Sequence, residues 1–462
     1  MVQIKEETIT SFTENLKSKC LVAYPKSIEE LKEVLTFAKN NQKTICNRAS
    51  GYSYGDMILN TNEIVLNLSR MDRILSWNRE TGEMIVEPGA KFSDIFTKSL
   101  PDNWTLSACP GGDITVGGAV SNNVHGKDSW KSGNFGALVK DMKLLLSNGS
   151  ILTLNENENV DLFYAVIGGM GLLGIILEIT LTLKKIPSPF VEVSSFVSKD
   201  ISETIEKIEK LRETSDFLVS WVDCFPRGKS LGRGYVTAAK WIESDVKVDS
   251  NLVSNSCKVP NRVFGIFPSG PTWFLLRPFF LPSSIKKVNK LHYLLAKMID
   301  RKKKIMLFTD WNFMHHKIPN LKHVYRPHGF LEFQPMIPRR HGAKPMVDII
   351  KLCQKYDSES LLCGVKLHGK DDFMISYSDD AFSLGIDIQL RNRKIEKIKE
   401  FQKELLILTT NLEGKFYLAK DEMITKDFFE AMYPKRNLFQ ELKEKYDKES
   451  IFSSDMYQRL FV

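Results

Sequence analysis

The sequence lacks the long apolar run, about 18 residues, that a membrane-spanning helix needs. Its first 19 residues are polar, so we expect no secretory signal core there. Although the formal net charge is +8, no compact Arg/Lys tract with interleaved aromatic side chains occurs. The absence of such a tract argues against a nucleic-acid partner. The basic balance instead favours a phosphorylated substrate or an anionic membrane surface.

Cysteines are few, odd in number and scattered, with no C-x-x-C pair. This spacing predicts reduced thiols and a cytoplasmic chain, because a disulfide scaffold uses paired cysteines. The seven positions are Cys20, Cys46, Cys109, Cys224, Cys257, Cys353 and Cys363. A chain of 462 residues with 43% hydrophobic residues is too long for one small core, so two domains are expected.

Periodicity and turn residues predict an α+β chain whose strands and helices come in blocks. Residues 25–41 read as an amphipathic helix that begins at the N-cap Ser27. The Asn148-Gly149 pair predicts a hairpin turn. The apolar pattern that follows residue 394 predicts a helix with a glycine C-cap at Gly414. Pro187 marks the expected domain boundary.

Glycine is concentrated in three segments. GGMGLLG at 168–174 satisfies G-x-G-x-x-G, but a helix is predicted before it and a strand after it, so a Rossmann fingerprint is excluded. RASGYSYGD at 48–56 predicts a short loop of exposed amides that can hold phosphates. Between residues 109 and 136 the glycines are so dense that backbone must contact something large, planar or polyanionic. The four histidines at 315, 316, 323 and 328 lack the spacing of a metal site, and no metal is predicted.

Motifs spread over nearly the whole chain resemble the vanillyl-alcohol-oxidase (PCMH) type of FAD-dependent oxidoreductases. Within that type the chain is most similar to the decaprenylphosphoryl-β-D-ribose 2′-oxidases. The matching stretches are SYGD (53–56), TVGGAVSNNVHGK (115–127), SGNFG (132–136), GLLGII (171–176), YLAKD (417–421), EAMYP (430–434) and SSDMYQRL (453–460). The segment 190–410 matches only in patches.

The resemblance implies an α+β fold in which a two-part FAD domain holds an inserted antiparallel-sheet substrate domain flanked by helices. The FAD domain would comprise 1–186 and the returning tail 415–462, and the substrate domain 187–414. The implied FAD-binding residues are Asn47, Arg48, Ala49, Ser50, Gly51, Tyr52, Ser53, Tyr54, Gly55, Asp56, Met57, Gly111, Thr115, Val116, Gly117, Gly118, His125, Gly126, Lys127, Asp128, Ile176 and Tyr417.

Lys420 corresponds to the lysine that acts in the oxidation. A lysine at a desolvated flavin face, beside other cations, can have its pKa lowered enough to accept the hydroxyl proton. Lys127 and Lys366 match lysines of the substrate pocket, where they would meet a phosphate. Gln334, Trp221 and Gly385 are expected to complete the pocket.

Two departures from the resemblance carry expectations. Many relatives bind FAD covalently through a histidine in the first glycine loop, and here that place holds Tyr52, so non-covalent FAD is expected. The ribose oxidases carry a cysteine near the flavin where this chain has Gly385, so cysteine-directed inhibitors should fail.

The apolar, aromatic segment 265–290 has basic flanks and allows two interpretations. It is either a loop that touches a bilayer or a lipid tail, or a buried strand-and-turn of the substrate domain. RKKK at 301–304 favours an anionic surface, and with it a peripheral location at the inner face of the membrane.

The expected activity is oxidation of a secondary hydroxyl of a sugar that bears a phosphate or a polyprenyl phosphate, such as decaprenylphosphoryl-ribose, to a keto-sugar. This oxidation would be the first half of an epimerisation in cell-envelope glycan synthesis. A separate short-chain reductase would complete that reaction. Two alternatives stay open: a soluble aldonolactone or alditol oxidase that uses oxygen, and a flavin-fold scaffold without catalysis.

Overall fold

A computed structural model describes residues 2–263, 266–314, 320–391 and 393–462. These residues form the predicted α+β arrangement, with antiparallel sheets and flanking helices. The helices are α1 (Ile28–Asn40), α2 (Phe92–Ser99), α3 (Val116–Ser121), α4 (Ser129–Ser132), α5 (Val160–Val166), α6 (Ile201–Leu211), α7 (Ser250–Cys257), α8 (Thr272–Leu276), α9 (Pro282–Met298), α10 (Phe308–Asn312), α11 (Lys344–Lys355), α12 (Ile395–Asn411), α13 (Lys426–Met432), α14 (Arg436–Tyr446) and α15 (Asp455–Leu460).

The amino-terminal half contains two principal sheets. The first has the order β1 (Ile4–Thr10), β2 (Lys17–Ala23), β4 (Ile64–Asn67) and β3 (Ile45–Arg48). The second has the order β5 (Ile74–Asn78), β6 (Glu83–Val86), β10 (Ile175–Thr182), β8 (Val139–Leu145) and β9 (Ile151–Asn155). A short pair joins β7 (Trp104–Thr105) to β11 (Lys184–Lys185).

Local sequence signals explain several of these elements. Ser27 caps α1 by accepting a hydrogen bond from the Glu30 N–H, and the apolar stripe of the helix is buried against the first sheet. The hairpin of β8 and β9 turns at Asn148-Gly149, where Gly149 has φ +85°. The glycines of 168–174 follow α5 and precede β10, which confirms that this segment lacks the strand-then-helix order of a Rossmann fingerprint.

A large antiparallel sheet follows Pro187. Within the described residues its order is β17 (Lys303–Leu307), β12 (Phe190–Ser198), β14 (Gly234–Trp241), β13 (Phe217–Val222), β20 (Cys363–His368), β21 (Ala381–Gln389), β19 (Pro335–Pro338) and β22 (Lys415–Phe416), with β18 (Phe330–Phe333) also on β21. A separate small hairpin pairs β15 (Arg262–Val263) with β16 (Phe267–Pro268). Because β22 belongs to the large sheet, the tail begins with a strand of the predicted substrate domain before it returns to the FAD half.

One helix end differs from the expectation. α12 stops at Asn411, and the residue in the left-handed region is Glu413, with φ +55°. Gly414 follows it and donates its N–H to Thr409 O, and a Cβ there would lie 2.5 Å from Met336 O. Gly414 is therefore required for close approach to β19 rather than for the helix cap itself.

All seven cysteines are buried free thiols, as their spacing predicted. Among the helices of the described ranges, none has the length and apolar composition to cross a bilayer.

Candidate active site

The loop after β3 forms one wall of a large cavity. Residues 47–54 and Met57 line this cavity, whose volume is about 620 Å³. Gly51, at φ +70°, makes the turn that brings the loop back towards the tail. There the Tyr54 N–H donates to Ala419 O at 2.9 Å, next to Lys420. The glycine loop and the YLAKD segment are thus joined directly through backbone.

Two residues of the predicted loop face away from the cavity. A Cβ on Gly55 would lie 1.9 Å from Asp421 O, so only glycine allows this contact with the tail. The Asp56 carboxylate accepts two hydrogen bonds from Arg459, at 2.8 and 2.9 Å. Arg459 also donates to Asp421 at 3.1 Å. These residues hold the loop in place from behind.

The glycine-dense run forms the opposite wall. Gly111, Thr115, Gly117, Gly118 and His125 line the cavity together with Ile176 and Tyr417. At Gly117 a Cβ would lie 2.6 Å from Pro88 Cβ, so α3 approaches that proline through backbone. The predicted interpretation of the run, as a surface of backbone and small side chains, fits this geometry.

Four predicted cofactor residues of the run do not line the cavity: Val116, Gly126, Lys127 and Asp128. Val116 is fully buried in the core. The Gly126 N–H donates to Ser129 Oγ at 2.7 Å, and Asp128 Oδ1 accepts from the Ala108 N–H at 3.0 Å. Burial raises the pKa of Asp128 to about 6. Gly126 and Asp128 therefore shape the loop by bracing it rather than by lining the cavity.

The side-chain carbonyl oxygens of Asn47 and Asn122 are two buried acceptors near the cavity wall. Asn47 donates its amide to Gly171 O and Gly174 O, at 2.8 and 3.0 Å, and Asn122 donates to Gly118 O at 2.9 Å. Their Oδ1 atoms are buried and have no hydrogen-bond partner among the described residues. Since buried polar atoms are nearly always satisfied, these carbonyl oxygens fit the N–H groups of a ring-containing ligand.

The same cavity is also lined by Lys366 of β20, Asp387 of β21 and Lys420 of the tail. We call this part of the cavity the chamber. Lys420 Nζ donates to the Glu332 carboxylate and lies 4.8 Å from the centre of the Tyr54 ring. Glu332 faces Asp387 across the β18–β21 ladder and is hydrogen-bonded to it. Burial and the neighbouring Glu332 raise the pKa of Asp387 well above its usual range. The raised pKa favours the protonated form of Asp387, which is hydrogen-bonded to Glu332, while Lys420 pairs with Glu332.

One lysine and two neutral imidazole groups form the other side of the chamber. Lys366 projects from β20 into the cavity, and His125 lies opposite, 4.8 Å from His368 between ring centres. Burial, with Lys366 beside it, lowers the pKa of His368 to about 3. Burial and the nearby Lys366 likewise hold the pKa of His125 well below its usual value. Both imidazoles are therefore neutral at physiological pH.

Gln334 links these groups from the side of the sheet. Its amide nitrogen lies 3.1 Å from His125 Nε2 and donates to Ser383 Oγ at 3.0 Å, and the same hydroxyl lies 2.8 Å from His368 Nε2. Gly385 leaves open space on β21, because the nearest atom to a Cβ built there would be Glu332 Oε1, at 3.5 Å.

Residues 20–155 match the family model described as "FAD binding domain". The chain is 26% identical over 449 residues to the decaprenylphosphoryl-beta-D-ribose oxidase of Mycolicibacterium smegmatis, covering 93% of this chain and 92% of that protein. It is 22% identical to the L-gulonolactone oxidase of Mus musculus, covering 95% and 94%. A D-arabinono-1,4-lactone oxidase of Candida glabrata is 24% identical over 46% of this chain and 41% of its own length.

Residues 20–155 are an FAD-binding domain. The chain is an FAD-dependent oxidoreductase, and its α+β fold is consistent with the PCMH type. The unpartnered oxygens of Asn47 and Asn122 and the two glycine-rich walls fit the cofactor. These residues would hold FAD, which accepts a hydride when it is bound.

Two predicted substrate residues of this flavoenzyme lie away from the chamber. Lys127 is buried, its Nζ donates to Asn312 O and Oδ1 at 2.7 and 2.8 Å, and it lies over the Trp311 ring. An ammonium held this way is not free to meet a phosphate. Trp221 stacks on Tyr235, at 5.6 Å between ring centres, and its edge meets His292. Because both side chains are satisfied elsewhere, the structure does not place them in the substrate pocket.

The structure adds groups that sequence reasoning missed. Glu332 stands two residues before Gln334, and Asp387 two residues after Gly385. Since side chains alternate along a strand, each shares a face with its predicted neighbour. Tyr325 is a third addition, with a buried hydroxyl that has no partner among the described residues and a ring that lines the cavity. The two-residue alternation was the available signal for the carboxyl groups.

No group of metal-binding side chains occurs in the described ranges. His315 and His316 of the histidine cluster lie outside the described residues. His323 instead pairs with Glu14, at 3.0 Å, while His328 is exposed.

Proposed function

We propose that this flavoenzyme oxidises a secondary hydroxyl of a sugar that is carried on a polyprenyl phosphate. One observation carries the proposal: the cavity that would hold FAD also contains Lys420 and Lys366 and shares a wall with an exposed apolar surface. The chamber would hold the sugar ring and the exposed surface would hold the lipid.

That surface is built by α8, the 3-10 helix Arg277–Phe280 and α9. Its inner side packs in one cluster with Tyr325 and Phe330, which line the cavity. Its outer side exposes apolar side chains at helical spacing on α9. This apolar outer face consists of Phe274, Leu275, Phe279, Leu291, Leu294, Leu295 and Met298.

The outer face also carries positive charge. Lys286, Lys287 and Lys290 are exposed on α9, and residues 301–304 add an exposed basic run. An apolar stripe flanked by lysines suits the surface of an anionic bilayer. Of the two interpretations of 265–290, the buried strand-and-turn is wrong over the described residues 272–290, because α8 and α9 are helices. Gly265 lies outside the described residues. Membrane contact stays part of the proposal.

Charge inside the chamber limits where a phosphate can lie. Glu332 and Asp387 lie beside Lys420 in the chamber. A phosphate at that place would be repelled by the negative charge of a carboxylate. Lys322 lines the cavity on the 3-10 helix Leu321–Tyr325, which packs against α8. The phosphate would therefore lie near Lys322, with the sugar hydroxyls on Lys420, Glu332 and Tyr325. The keto-sugar product would then pass to a short-chain reductase.

The carboxyl groups also favour a second candidate, a free aldonolactone or alditol as substrate, with oxygen as acceptor. Neutral polyols suit hydrogen-bonding carboxyl groups and need no membrane. Two of the named relatives are lactone oxidases.

Anaerobic bleaching of the bound flavin separates the candidates. The holoenzyme would be mixed with lipid-linked phosphopentoses, free pentoses and aldonolactones, with and without vesicles containing anionic lipid. The proposal expects bleaching by the lipid-linked sugar, faster on vesicles, and loss of the vesicle effect in Leu294→Glu/Leu295→Glu. A matched control is Leu438→Glu, an exposed leucine on α14. Bleaching by free lactones alone would support the second candidate, and no bleaching by any sugar would support a non-catalytic flavoprotein.

A further inference from the structure

We propose that Lys366, rather than Lys420, takes the hydroxyl proton when the sugar is oxidised. This inference rests on the proposed function and assigns a new role within the same chamber. The sequence suggested Lys420 as that base, because it expected other cations around it.

Lys420 is paired with a carboxyl group and with an aromatic ring. Its Nζ donates to the Glu332 carboxylate and lies against the face of the Tyr54 ring. Both neighbours stabilise the ammonium form. A lysine in this state can orient a hydroxyl and stabilise developing negative charge, but it has no lone pair for a proton.

Lys366 has the opposite surroundings. No hydrogen bond or ion pair to its Nζ exists within the described part of the chain, and the side chain lines the cavity. Lys420 on the tail and Lys127 on the FAD domain are its positive neighbours. The neutral imidazoles of His125, on the glycine-dense run, and of His368, on the same strand β20, also lie near it. Glu332 is the nearby carboxylate, and it is already paired with Lys420.

A second ammonium in this chamber would therefore lack a counterion. Burial, then repulsion from Lys420 and Lys127, lowers the pKa of Lys366 to about 7. A substantial fraction of the amine is thus neutral at physiological pH, which is the condition for an efficient general base.

The step balances with the bound cofactor as the oxidant. The C–H bond of the carbinol carbon breaks, and its hydrogen and electron pair leave as hydride. The O–H bond breaks, and the proton moves to the lone pair of Lys366 Nζ, which becomes an ammonium. The C–O bond becomes a carbonyl.

The first test measures the amine without turnover. The holoenzyme is acetylated with trace acetic anhydride between pH 6 and pH 10, and each lysine is quantified by mass spectrometry against a reference peptide amine. We expect Lys366 to reach half of its full reactivity near pH 7. A profile that follows the reference peptide would overturn the inference, as would a Lys366 that the reagent never reaches.

The second test follows flavin reduction against pH under anaerobic conditions. The wild-type rate should rise with pH and level off above about pH 7. Lys366→Met and Lys366→Arg should both keep bound FAD, lose the inflection and reduce the flavin about 10²–10⁴-fold more slowly. Arginine keeps the charge but cannot accept a proton. Lys370→Met, an exposed lysine four residues on, is the control that keeps rate and inflection.

The outcomes separate the two proposals. An inflection retained in Lys366→Arg, with a rate near that of the wild type, would remove Lys366 from proton transfer while sugar oxidation stands. If no sugar bleaches the wild-type flavin, the proposed function fails, and the acetylation profile still reports whether Lys366 is a neutral amine.

Discussion

Arg459 binds the carboxylate of Asp56 through two hydrogen bonds, at 2.8 and 2.9 Å. This contact joins the last helix, α15, to the glycine loop that begins the cofactor site. The same guanidinium also reaches Asp421, next to Lys420. The Arg459 side chain thus holds Asp56 in the glycine loop and Asp421 next to Lys420. It therefore positions both the wall that would hold FAD and Lys420 without a hydrogen bond to Lys420 itself.

Replacing Arg459 should weaken FAD binding. In Arg459→Met the buried carboxylates of Asp56 and Asp421 lose their cation, at a cost of about 3 kcal/mol. We expect a higher Kd for FAD in apoprotein titrations and a lower thermal midpoint. Arg436→Met is the control, because Arg436 donates to Glu430 O at 2.9 Å and forms a 3.6 Å ion pair with the partly exposed carboxylate of the same residue. Equal FAD affinity in the two variants would contradict the bracing role.

Lys420→Ala should abolish flavin reduction by sugar while FAD stays bound. The ammonium orients the hydroxyl and stabilises charge in the chamber, so its loss should slow anaerobic bleaching at least about 10²-fold. Glu332→Gln should slow it as well, because Lys420 would lose its carboxylate partner. Lys435→Ala, an exposed tail lysine, should behave as wild type. Turnover retained in Lys420→Ala would exclude this lysine from the reaction.

Thiol-reactive inhibitors should not label the wild-type site. Every cysteine is buried, and Gly385 stands where related oxidases carry a thiol. Gly385→Cys should accept one adduct, because its Cβ has only Glu332 Oε1 nearby, at 3.5 Å. Intact-mass spectrometry reads the adduct, and Gly270→Cys, with open space around it, is the labelling control. Labelling of the wild-type chamber would show that the alignment at Gly385 is wrong.

FAD should leave the protein when it is denatured. Tyr52 replaces the histidine of covalent relatives, and its hydroxyl donates to Asp113 at 3.1 Å instead. After acid precipitation we expect the yellow colour in the supernatant and an unmodified chain mass. Tyr52→Phe should release FAD in the same way, since the hydrogen bond to Asp113 is no tether. A chain mass raised by that of FAD would overturn this expectation.

Asp128 should make the protein less stable as pH rises towards neutrality. Burial raises the pKa of Asp128 to about 6, against 3.8 for an ordinary aspartate, so the folded state binds the proton more tightly. That contribution is complete below the unfolded pKa and is lost as pH rises through 6, by about 3 kcal/mol.

The measurement is the urea midpoint at pH 4 and pH 7. Asp128→Asn keeps an oxygen for the Ala108 N–H and removes the ionisation, so its midpoint should change less between the two pH values. Exposed Asp245→Asn is the control and should follow the wild type. An identical pH response in Asp128→Asn and the wild type would show that folding does not raise the pKa of this carboxyl.

Predictions from periodicity and turn residues held where the signal was local. α1 begins at Ser27 and the β8–β9 hairpin turns at Gly149, because capping and turn geometry depend on neighbouring residues only. The interpretation of the glycine run as a backbone surface fits the cavity wall that its residues line. The C-cap at Gly414 was misplaced, because the spacing of Gly414 from β19 is a tertiary requirement.

Local sequence patterns could not predict the contacts that form between distant strands and the tail. Lys127 looked like a substrate contact, yet Asn312 of α10 takes its ammonium. Nothing in the sequence around Glu332 marks it as a site residue. The β18–β21 pairing places it opposite Asp387, and Lys420 of the tail donates a hydrogen bond to it.

The sequence by itself determined the α+β class and the reduced cysteines, and it pointed to the glycine-rich segments and to Lys366 and Lys420, which line the cavity. Only the tertiary structure decided their charge states. A lysine is cation or amine according to which carboxylates, cations and apolar surface lie within a few ångströms, and those neighbours come from β18, β20, β21 and the tail. Side-chain type is local, whereas the electrostatic free energy of a buried charge is set by the whole chamber.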